Sequence, residues 1–555
     1  MRSLEHEGVT TLFGYPGGAI MPVYDALYGY KDKLNHVLVR HEQGATHAAQ
    51  GYARVSGKVG VALVTSGPGA TNTITGIADA MMDSTPIVVI AGQVGASLLG
   101  SDAFQECDLV GVTQPISKWA YQIRRPEDVA WAVSRAFYIA KSGRPGPVVL
   151  DFAKNAQVGL VDYEPQGTDF IRSYVPVPKT DPWAIRQAAA LINNAKRPFI
   201  LVGQGVELGG AQEEVRQLIE RADIPAGCTL LGLSALPSDH GDPMNLGMLG
   251  MHGSLANSIK TQECDVLIAV GMRFDDRITG KLSTYARQAK KIHFEIDPSE
   301  VNKNVPVDVA VLGNCKQTLA QVLEQVKPNR HTEWIDSFGE HHEREKEAVI
   351  EPEIHPADGP IKMGEVVRKV TEMTGNKAVL VTDVGQNQMM AARYFKFSEQ
   401  RSIVTSGGMG TMGFGLPAAI GATFGAPGRM VCLFLGDGGI QMTLQELGTI
   451  MEQRSPVKII LLNNNYLGNV RQWQEMFFGK RYSFTPMMNP DYNMIASAYG
   501  IPNRTVVERE DLAAAIQEMV DTDGPYLLQV AVIEEGRVLP MCCPGNDVDD
   551  MVLDY

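Results

Sequence analysis

Short, uninterrupted apolar runs alternate along this chain with longer stretches in which apolar residues recur at helical spacing. In the first part of the chain, four such runs lie at residues 35–39, 59–65, 86–91 and 147–152. Their apolar residues are consecutive, as expected for strands that helices cover on both faces of a parallel sheet. Strands that alternate with helices in this way predict an α/β fold with a doubly wound parallel sheet.

Two further blocks repeat the same rhythm. The apolar runs of the second block lie at residues 198–202, 265–270, 291–296 and 307–312. Those of the third block lie at residues 378–382, 430–435, 458–462 and 526–532. We therefore predict three doubly wound α/β domains at residues 1–155, 180–330 and 360–535, followed by a C-terminal tail at 536–555. The first and third blocks share a rhythm that suits a duplicated fold.

Polar segments that contain several prolines separate the three blocks. Residues 156–180 carry Pro165, Pro176 and Pro178, which keep the chain extended and cannot build a core. Residues 330–360 are highly charged and end in a second group of prolines. We interpret the first segment as a linker, and the second as one solvated helix followed by another linker.

Composition narrows the classes of protein that fit this pattern. Of the 555 residues, 44% are hydrophobic and 20% are charged, which is typical of a globular enzyme. The net charge of −14, without any run of Lys and Arg, predicts that neither nucleic acid nor an anionic membrane is a partner. Cysteines without a C-x-x-C pair fit a reducing cytoplasm, and no apolar run approaches the roughly 20 residues that span a bilayer. We also expect that the sequence as given begins a few residues late in its first helix, with an internal start.

Two polar motifs follow neighbouring apolar runs of the third block. Gly436-Asp437-Gly438 comes after residues 430–435, and Asn463-Asn464-Asn465 comes after residues 458–462. Each motif alone fits an ordinary loop, but both lie at carboxyl ends of strands, where open parallel sheets bind ligands. A carboxylate, a side-chain amide and a backbone carbonyl suit Mg²⁺ on a diphosphate.

The pair resembles the thiamine-diphosphate fingerprint, in which G-D-G is followed at a similar distance by N-N. The resemblance implies that Asp437, Asn464 and the backbone carbonyl of Tyr466 hold Mg²⁺ on the cofactor's diphosphate. A thiamine enzyme also needs a carboxylic acid that faces the cofactor's aminopyrimidine ring. Glu42 follows the run at residues 35–39 and opens a helix of small residues. The helix dipole alone favours an acid there by about 0.3–1 kcal/mol, so only the metal motif makes the catalytic interpretation preferable.

Further segments resemble the catalytic subunit of acetohydroxyacid synthase, also called acetolactate synthase, over essentially the whole chain. They are Y-P-G-G-A at 15–19, R-H-E-Q-G-A at 40–45, T-S-G-P-G-A-T-N at 65–72, D-A-F-Q-E at 102–106 and S-G-G-M-G-T-M-G at 406–413. Residues 271–280 are similar to the family's G-x-R-F-D-D-R-x-T-G, which separates FAD-containing biosynthetic enzymes from FAD-free catabolic ones. The resemblance implies a thiamine-diphosphate enzyme fold with a pyrimidine-binding first domain, a Rossmann-like FAD-binding middle domain and a diphosphate-binding third domain.

The resemblance also implies roles for particular residues. The implied catalytic residues are Glu42, Gly18, Phe104, Gln105 and Lys118. The residues implied to bind thiamine diphosphate are Gln386, Asn387, Gly410, Met412, Gly438, Gly439, Leu467 and Gly468. Those assigned to FAD are Gly203, Gly205, Arg273 and Asp297, although Gly203 and Gly205 alone form a common turn motif. The residues implied to receive the second 2-ketoacid are Arg277, Asn469 and Trp473.

Four positions depart from the family pattern. Asn387 stands where His is usual, Met390 where Trp is usual, and Gly439 where Ser is frequent. An amide at position 387 can still donate a hydrogen bond to phosphate. Asn469 replaces the usual Met nearer the substrate, so the choice of the second ketoacid is the property it affects most.

The activity implied by the resemblance is that of acetolactate synthase. Pyruvate is decarboxylated on thiamine diphosphate, and the hydroxyethyl carbanion is transferred to pyruvate or 2-ketobutyrate. The products are 2-acetolactate and 2-aceto-2-hydroxybutyrate, in branched-chain amino acid biosynthesis, and FAD is structural. The family further implies a homodimer or higher homo-oligomer with sites shared between subunits, and a small regulatory subunit. Alternatives are pyruvate oxidase, glyoxylate carboligase and an inactive thiamine-fold binding protein. The presence of Glu42, Asp437 and Asn464 argues against the inactive protein.

Overall fold

Three six-stranded parallel sheets follow one another along the chain. The structure is a computed structural model, and it describes residues 1–238 and 244–555. Helices cover both faces of each sheet, and the central strands are fully buried because their consecutive apolar side chains contact helices on either side. The prediction of three doubly wound α/β domains is therefore confirmed.

The first domain contains the amino-terminal sheet. Its strands are β1 (Thr11–Gly14), β2 (Asn35–Leu38), β3 (Gly60–Val64), β4 (Ile87–Gln93), β5 (Trp119–Ile123) and β6 (Val148–Ala153). Its helices are α1 (Arg2–His6), α2 (Met21–Tyr28), α3 (Glu42–Ser56), α4 (Pro68–Thr71), α5 (Ile74–Met82), α6 (Leu109–Thr113), α7 (Val129–Lys141) and α8 (Lys154–Val158). The strand order is β2-β1-β3-β4-β6-β5.

The middle domain has the strand order of a dinucleotide-binding fold. Its strands are β7 (Pro198–Val202), β8 (Ala226–Cys228), β9 (Asn245–Met248), β10 (Val266–Val270), β11 (Lys290–Glu295) and β12 (Val309–Leu312). Its helices are α9 (Pro182–Asn194), α10 (Gly205–Gly209), α11 (Gln212–Ala222), α12 (Leu255–Glu263), α13 (Asp276–Thr279) and α14 (Cys315–Leu323). The order β9-β8-β7-β10-β11-β12 is that of the Rossmann fold and places the reversal of strand order between β7 and β10.

Short helices connect the middle domain to the third, and these differ from the sequence prediction. They are α15 (Thr332–Asp336), α16 (Gly339–Glu345) and α17 (Glu351–Ile354), with a π-helical turn at Lys346–Ile350. The single solvated helix predicted at 330–360 is therefore wrong. Glu345 is buried, and its charge is tolerated there because it accepts the backbone N–H of Leu255 (2.6 Å) and pairs with Arg393 (2.5 Å).

The third domain repeats the strand order of the first. Its strands are β13 (Val379–Thr382), β14 (Ile403–Val404), β15 (Val431–Gly436), β16 (Val457–Asn463), β17 (Asn503–Val506) and β18 (Tyr526–Ala531), and the tail forms β19 (Met541–Cys542) and β20 (Met551–Val552). Its helices are α18 (Met363–Met373), α19 (Gln386–Tyr394), α20 (Gly415–Gly425), α21 (Asp437–Met442), α22 (Leu447–Gln453), α23 (Gly468–Phe477), α24 (Tyr492–Ala498) and α25 (Arg509–Asp521). The order β14-β13-β15-β16-β18-β17 matches that of the first sheet, strand for strand.

The first and third domains are joined by close packing of α3 against α20. A Cβ at Gly51 would overlap the backbone of Ala418, and a Cβ at Gly421 would overlap the backbone of Ala48. Glycine at both positions lets the two helix backbones touch, so the carboxyl ends of both sheets are held in a fixed relation. Among the described residues, no helix is long and apolar enough to cross a membrane.

Candidate active site

The two polar motifs of the third domain meet at one edge of its sheet. β15 and β16 are adjacent and parallel, and Gly436 pairs with Leu462, so Asp437 and Asn464 emerge side by side. Asp437 is only 1% exposed; its Oδ2 accepts from Asn489 Nδ2 (2.7 Å) and its Oδ1 from the N–H of Gly438 (3.1 Å). The structure thus brings together the carboxylate and amide predicted to hold the metal ion.

Asn489 is a member of this site that the sequence interpretation missed. Besides Asp437, its Nδ2 faces Asn463 Oδ1 and Asn465 Oδ1, both at 3.1 Å. It reaches the site through a loop that pairs with Tyr466 only by an isolated bridge, so no strand or helix pattern announces it. Asn489 therefore contacts oxygens of Asp437, Asn463 and Asn465. We call this candidate metal site, formed by Asp437, Asn464 and the Tyr466 carbonyl, the metal edge.

The donor set at this edge suits a hard divalent cation. Burial raises the pKa of the Asp437 carboxyl, and the groups that hydrogen-bond to the carboxylate are amides rather than cationic side chains. A divalent ion would supply the missing positive charge, and oxygen ligands from Asp437, Asn464 and Tyr466 match the preference of Mg²⁺. Within residues 1–238 and 244–555, no cluster of three or more His, Cys, Asp or Glu offers a rival metal site.

Gln386 connects the metal edge to the start of α19. Its Oε1 accepts from Asn464 Nδ2 (3.3 Å), and its Nε2 donates to the carbonyl of Gly536 (2.8 Å) and to Gln472 Oε1 (3.2 Å). The side-chain oxygens of Asn387 and Asn469 are buried and accept no hydrogen bond from the described part of the chain. These amide oxygens would accept from a donor group of a ligand. Asn387 Nδ2, whose only hydrogen bond within the described residues is to the Val384 carbonyl at 3.4 Å, keeps an N–H that fits a diphosphate oxygen.

Met412, Leu467 and Gly438 converge beside the metal edge. A Cβ at Gly438 would lie 2.7 Å from Leu467 Cδ2 and 3.4 Å from Met412 Cε, so only glycine leaves the present spacing. A Cβ at Gly439 would overlap Asp383 Oδ1. Asp383 therefore leaves no space for the serine that is frequent at position 439 in the family.

Two aspartates of the first domain hold the loop that carries Gly410. Asp83 accepts the N–H groups of Gly407 (2.8 Å) and Gly408 (2.7 Å), and Asp79 accepts the hydroxyls of Ser406 and Thr411, both at 2.5 Å. Gly410 has φ +62°, a conformation that glycine adopts without strain. The sequence pattern gave no signal for these contacts, because they join residues of different domains.

A second cluster lies at the carboxyl edge of the first sheet. Glu42 is the first residue of α3, and its Oε2 accepts from Asn72 Nδ2 (3.0 Å). Gln105 has φ +60° and lies against Gly67, while Phe104 is 88% exposed and a Cβ at Gly18 would meet no atom within 4 Å. This edge is open toward solvent in the single chain.

Lys118 lies away from both clusters. Its Nζ donates to the carbonyls of Ile139 and Ser142, the latter at 2.6 Å, and to Tyr174 Oη (3.2 Å). Burial lowers the pKa of the Lys118 ammonium to about 8. In this arrangement its charge is directed at backbone carbonyls of its own domain.

A cleft of about 1690 Å³ is lined by residues of all three domains. Residues predicted for FAD, thiamine diphosphate and the second ketoacid line it together: Gly205, Arg273, Arg277, Gly410, Asn469 and Trp473. The Arg277 side chain is 58% exposed and lies 3.7 Å from Asp276, so a ligand carboxylate can reach its guanidinium. Trp473 contacts Phe477 edge to face, with ring centroids 5.6 Å apart, and forms an apolar wall.

The middle-domain end of the cleft lies where the strand order reverses. Gly203 follows β7 and Gly271 follows β10; a Cβ at Gly205 would lie 2.6 Å from Gly271 Cα. This close backbone packing and a volume above the usual 300–1,000 Å³ of small-ligand pockets fit a dinucleotide such as FAD. Asp297 instead caps the turn at Ser299 and faces Arg144 of the first domain at 3.4 Å.

Three family models match successive parts of the chain. They describe thiamine pyrophosphate enzymes: the N-terminal TPP binding domain at residues 1–112, the central domain at 185–322 and the C-terminal TPP binding domain at 383–530. Together with the metal edge and the cofactor cleft, these matches define the fold as that of a thiamine pyrophosphate enzyme.

Curated relatives narrow this class to one family. The chain is 44% identical to the acetolactate synthase isozyme 2 large subunit of Escherichia coli, over 100% of this chain and 98% of that protein. It is 44% identical to the acetolactate synthase large subunit of Parasynechococcus marenigrum, over 100% and 90% of the two chains. It is 41% identical to that of Lactococcus lactis, over 100% and 95%. The chain belongs to the family of acetolactate synthase large subunits, and the resemblance seen in the sequence is confirmed.

Proposed function

We propose that this chain is the catalytic subunit of an acetolactate synthase. It joins pyruvate to a second 2-ketoacid with loss of CO₂, giving 2-acetolactate from pyruvate or 2-aceto-2-hydroxybutyrate from 2-ketobutyrate, in branched-chain amino acid biosynthesis. The observation that carries this proposal is the single cleft in which Arg277, Trp473 and Asn469 lie together with the cofactor loop at Gly410. A guanidinium for a carboxylate and an indole for a short alkyl group are what a second ketoacid needs.

The residues at the metal edge would hold Mg²⁺ and thiamine diphosphate. Asp437, Asn464 and the Tyr466 carbonyl would bind the ion. Asn387 would donate to the diphosphate through its remaining N–H, and Gln386 would do so by giving up its 3.2 Å hydrogen bond to Gln472. When bound, thiamine diphosphate supplies the electron sink that decarboxylation of a 2-ketoacid requires. Asp437 offers this site a buried carboxylate that is already oriented by Asn489 (2.7 Å).

Glu42 is the residue that we assign to proton transfer at the aminopyrimidine ring. Asn72 fixes Oε2 of its carboxyl group, so Oε1 is the atom that we assign to hold the transferred proton. Gly69 of α4 lies close to this carboxyl, because a Cβ there would be only 3.3 Å from Glu42 Oε1. Proximity to the ring would then make the transfer effectively intramolecular.

FAD fits the middle-domain end of the cleft as a structural group. Gly203, Gly205 and Arg273 would hold it, since the reaction transfers no electrons overall. Arg273 is already oriented by the carbonyl of Met82, which its Nη1 contacts at 2.9 Å. Asp297, which the resemblance also assigns to FAD, caps the turn at Ser299. Lys118, which it assigns to the substrate site, donates to the Ser142 carbonyl instead.

We assign the two parts of the active site to different subunits of a homodimer. Glu42, Phe104 and Gln105 do not line the cleft that contains Arg277 and Trp473, which supports a shared site. Phe104 also exposes its aromatic ring, as an interface residue would. A small regulatory partner agrees with relatives whose names call them large subunits, and the cysteine pattern supports a cytoplasmic location.

The two-subunit site is tested by mixing inactive variants. Glu42→Gln and Asp437→Ala chains, allowed to exchange subunits, should regain part of the activity because one of the two hybrid sites is intact. Demonstrated exchange without any recovery would place both residues in one subunit.

The activity itself is tested by incubating the purified protein with pyruvate, thiamine diphosphate, Mg²⁺ and FAD. We expect acetolactate from the wild-type chain and none from Asp437→Ala. Acetolactate formation that persists in Asp437→Ala at low Mg²⁺ would remove this carboxylate from the site.

A further inference from the structure

Glu446 lies in the third domain but contacts the backbone of the first. It ends the 3₁₀ turn Leu444–Glu446 between α21 and α22, and it is fully buried. Its Oε1 accepts the backbone N–H groups of Arg40 and His41, both at 3.0 Å. Its Oε2 accepts from Thr449 Oγ1 (2.7 Å).

These two N–H groups belong to the residues immediately before Glu42. His41 is the N-cap of α3, and its side chain accepts from the N–H of Gln43 (3.2 Å). The backbone N–H groups of Arg40 and His41 need a different acceptor, and Glu446 supplies it. The Arg40 side chain also reaches the third domain, where it donates to the Gly448 carbonyl (3.1 Å) and pairs with Glu452 (2.6 Å). The third domain therefore fixes both backbone and side chain of the segment that leads into Glu42.

The Glu446 carboxylate packs against Gly44 of the first domain, where only glycine leaves enough space for it. A Cβ at Gly44, in the first turn of α3, would lie 2.5 Å from Glu446 Oε1 and 2.9 Å from its Cδ. Alanine is favoured over glycine within helices by about 1 kcal/mol, so helix stability alone would favour Ala at this position. Glycine instead keeps Glu446 against the start of the helix.

We propose that Glu446 is a positioning residue that sets the place of the Glu42 carboxyl by holding the two preceding backbone N–H groups. The proposal rests on the proposed function, because it takes Glu42 as the group that serves the cofactor. Both carboxylate oxygens of Glu446 are engaged by Arg40, His41 and Thr449, so we assign it no contact with cofactor or substrate. A displacement of about 1 Å at a reacting group can cost roughly a hundredfold in rate, so a support of this kind affects the chemistry.

The geometry predicts that an amide can replace the carboxylate. Both N–H groups are accepted by the same oxygen, Oε1, which Gln retains. The amide nitrogen would then face Thr449 Oγ1, and the Thr449 hydroxyl can turn its proton to the carbonyl of Leu38 at 3.2 Å. Burial raises the pKa of Glu446 to about 6, so its environment tolerates a neutral group.

The test measures deuterium exchange of the thiazolium C2 proton in bound thiamine diphosphate, at saturating cofactor and Mg²⁺. We expect Glu446→Ala to slow exchange roughly tenfold or more, and Glu446→Gln to stay within about threefold of wild type. Cofactor affinity, measured by protein fluorescence, should stay within about threefold in both, because the metal edge is intact.

Glu207→Ala is the matched control. Glu207 is also a buried carboxylate that joins two domains, since its Oε1 accepts the N–H of Arg401 (3.0 Å) and the hydroxyl of Ser234 (2.8 Å). Its loss removes the same kinds of hydrogen bond far from Glu42, so exchange should keep the wild-type rate. Gly44→Ala gives a second measurement if Glu446→Ala does not fold: exchange should slow even though Ala favours the helix.

The outcomes separate this proposal from the proposed function. Slow exchange in Glu42→Gln, together with wild-type exchange in Glu446→Ala or Gly44→Ala, would overturn the positioning role alone. Equal slowing in Glu446→Gln and Glu446→Ala would also overturn it, because charge rather than placement would then be responsible. Wild-type exchange in Glu42→Gln would remove Glu42 from the mechanism, and the proposed function would need another acid.

Discussion

Gly468→Ala should weaken cofactor binding while leaving the fold nearly unchanged. Gly468 is the first residue of α23, and a Cβ there would overlap Gln386 Oε1 and lie 2.8 Å from Asn464 Nδ2. Gln386 would have to move, because its amide is the end of a flexible side chain whereas Gly468 is held in a helix. The displaced amide would lose its hydrogen bonds to Gly536 (2.8 Å) and Gln472 (3.2 Å), and the one that its Oε1 accepts from Asn464 (3.3 Å).

The expected magnitudes differ for folding and for binding. Three lost hydrogen bonds cost about 1 kcal/mol each, and the better helix propensity of Ala returns up to about 1 kcal/mol, so the free energy of unfolding should fall by about 2 kcal/mol. A hydrogen bond from Gln386 to a charged diphosphate is worth about 1.5–3 kcal/mol. Because each 1.4 kcal/mol is a factor of ten, thiamine diphosphate should bind roughly 10- to 150-fold more weakly.

The assay is a calorimetric titration with thiamine diphosphate at fixed Mg²⁺. Thermal unfolding of the cofactor-free protein is measured in parallel. Gly339→Ala is the matched control, since Gly339 is also the first residue of a helix and a Cβ there would meet no atom within 4 Å. Wild-type affinity in Gly468→Ala would refute the placement of Gln386 at the diphosphate.

Three further substitutions test the cleft and the first domain. Trp473→Leu should lower the preference for 2-ketobutyrate over pyruvate by several-fold, since one methylene in an apolar pocket is worth about 1–3 kcal/mol; an unchanged product ratio in a competition assay would return Trp473 to a packing role. Arg277→Lys should raise the KM for the second ketoacid with a smaller change in kcat, because the bidentate carboxylate contact is lost; equal KM values would contradict this. Burial lowers the pKa of Lys118 from 10.5 to about 8, so the unfolded chain binds more protons between these pH values and stability should rise with pH there. Lys118→Met should remove that rise in urea unfolding measured across the interval, and a rise that persists would assign it to another group.

Most interior strands were predictable from the sequence, and most edge strands were not. The edge strands Asn35–Leu38 and Val309–Leu312 were predicted, whereas the short interior strands Thr11–Gly14 and Ala226–Cys228 were missed. The run at Pro198–Val202 is buried on both faces, so its apolar residues are consecutive and its bounds match the prediction. Trp119–Ile123 and Asn503–Val506 lie at the edges of their sheets and are only partly buried. These two edge strands mix polar and apolar residues because water reaches them, and the pattern of uninterrupted apolar runs therefore omitted them.

The site was predictable where strand topology fixes it. Asp437 and Asn464 follow adjacent parallel strands, so their meeting follows from the strand assignment alone. Asn489 and Glu446 could not be found in this way. The first reaches the metal edge through an irregular loop, and the second contacts Arg40 across two domains. Such contacts depend on how loops and domains pack, which local periodicity does not encode.

The most direct test of the proposed activity follows the carbon atoms of the substrate. Purified protein with ¹³C-labelled pyruvate, Mg²⁺, thiamine diphosphate and FAD should release one CO₂ for every two pyruvates consumed, with acetolactate as the product seen by NMR. Turnover should require thiamine diphosphate and Mg²⁺ and should consume no oxygen. Acetate or acetyl phosphate formed with uptake of oxygen, or turnover of glyoxylate in place of pyruvate, would contradict the assignment as an acetolactate synthase.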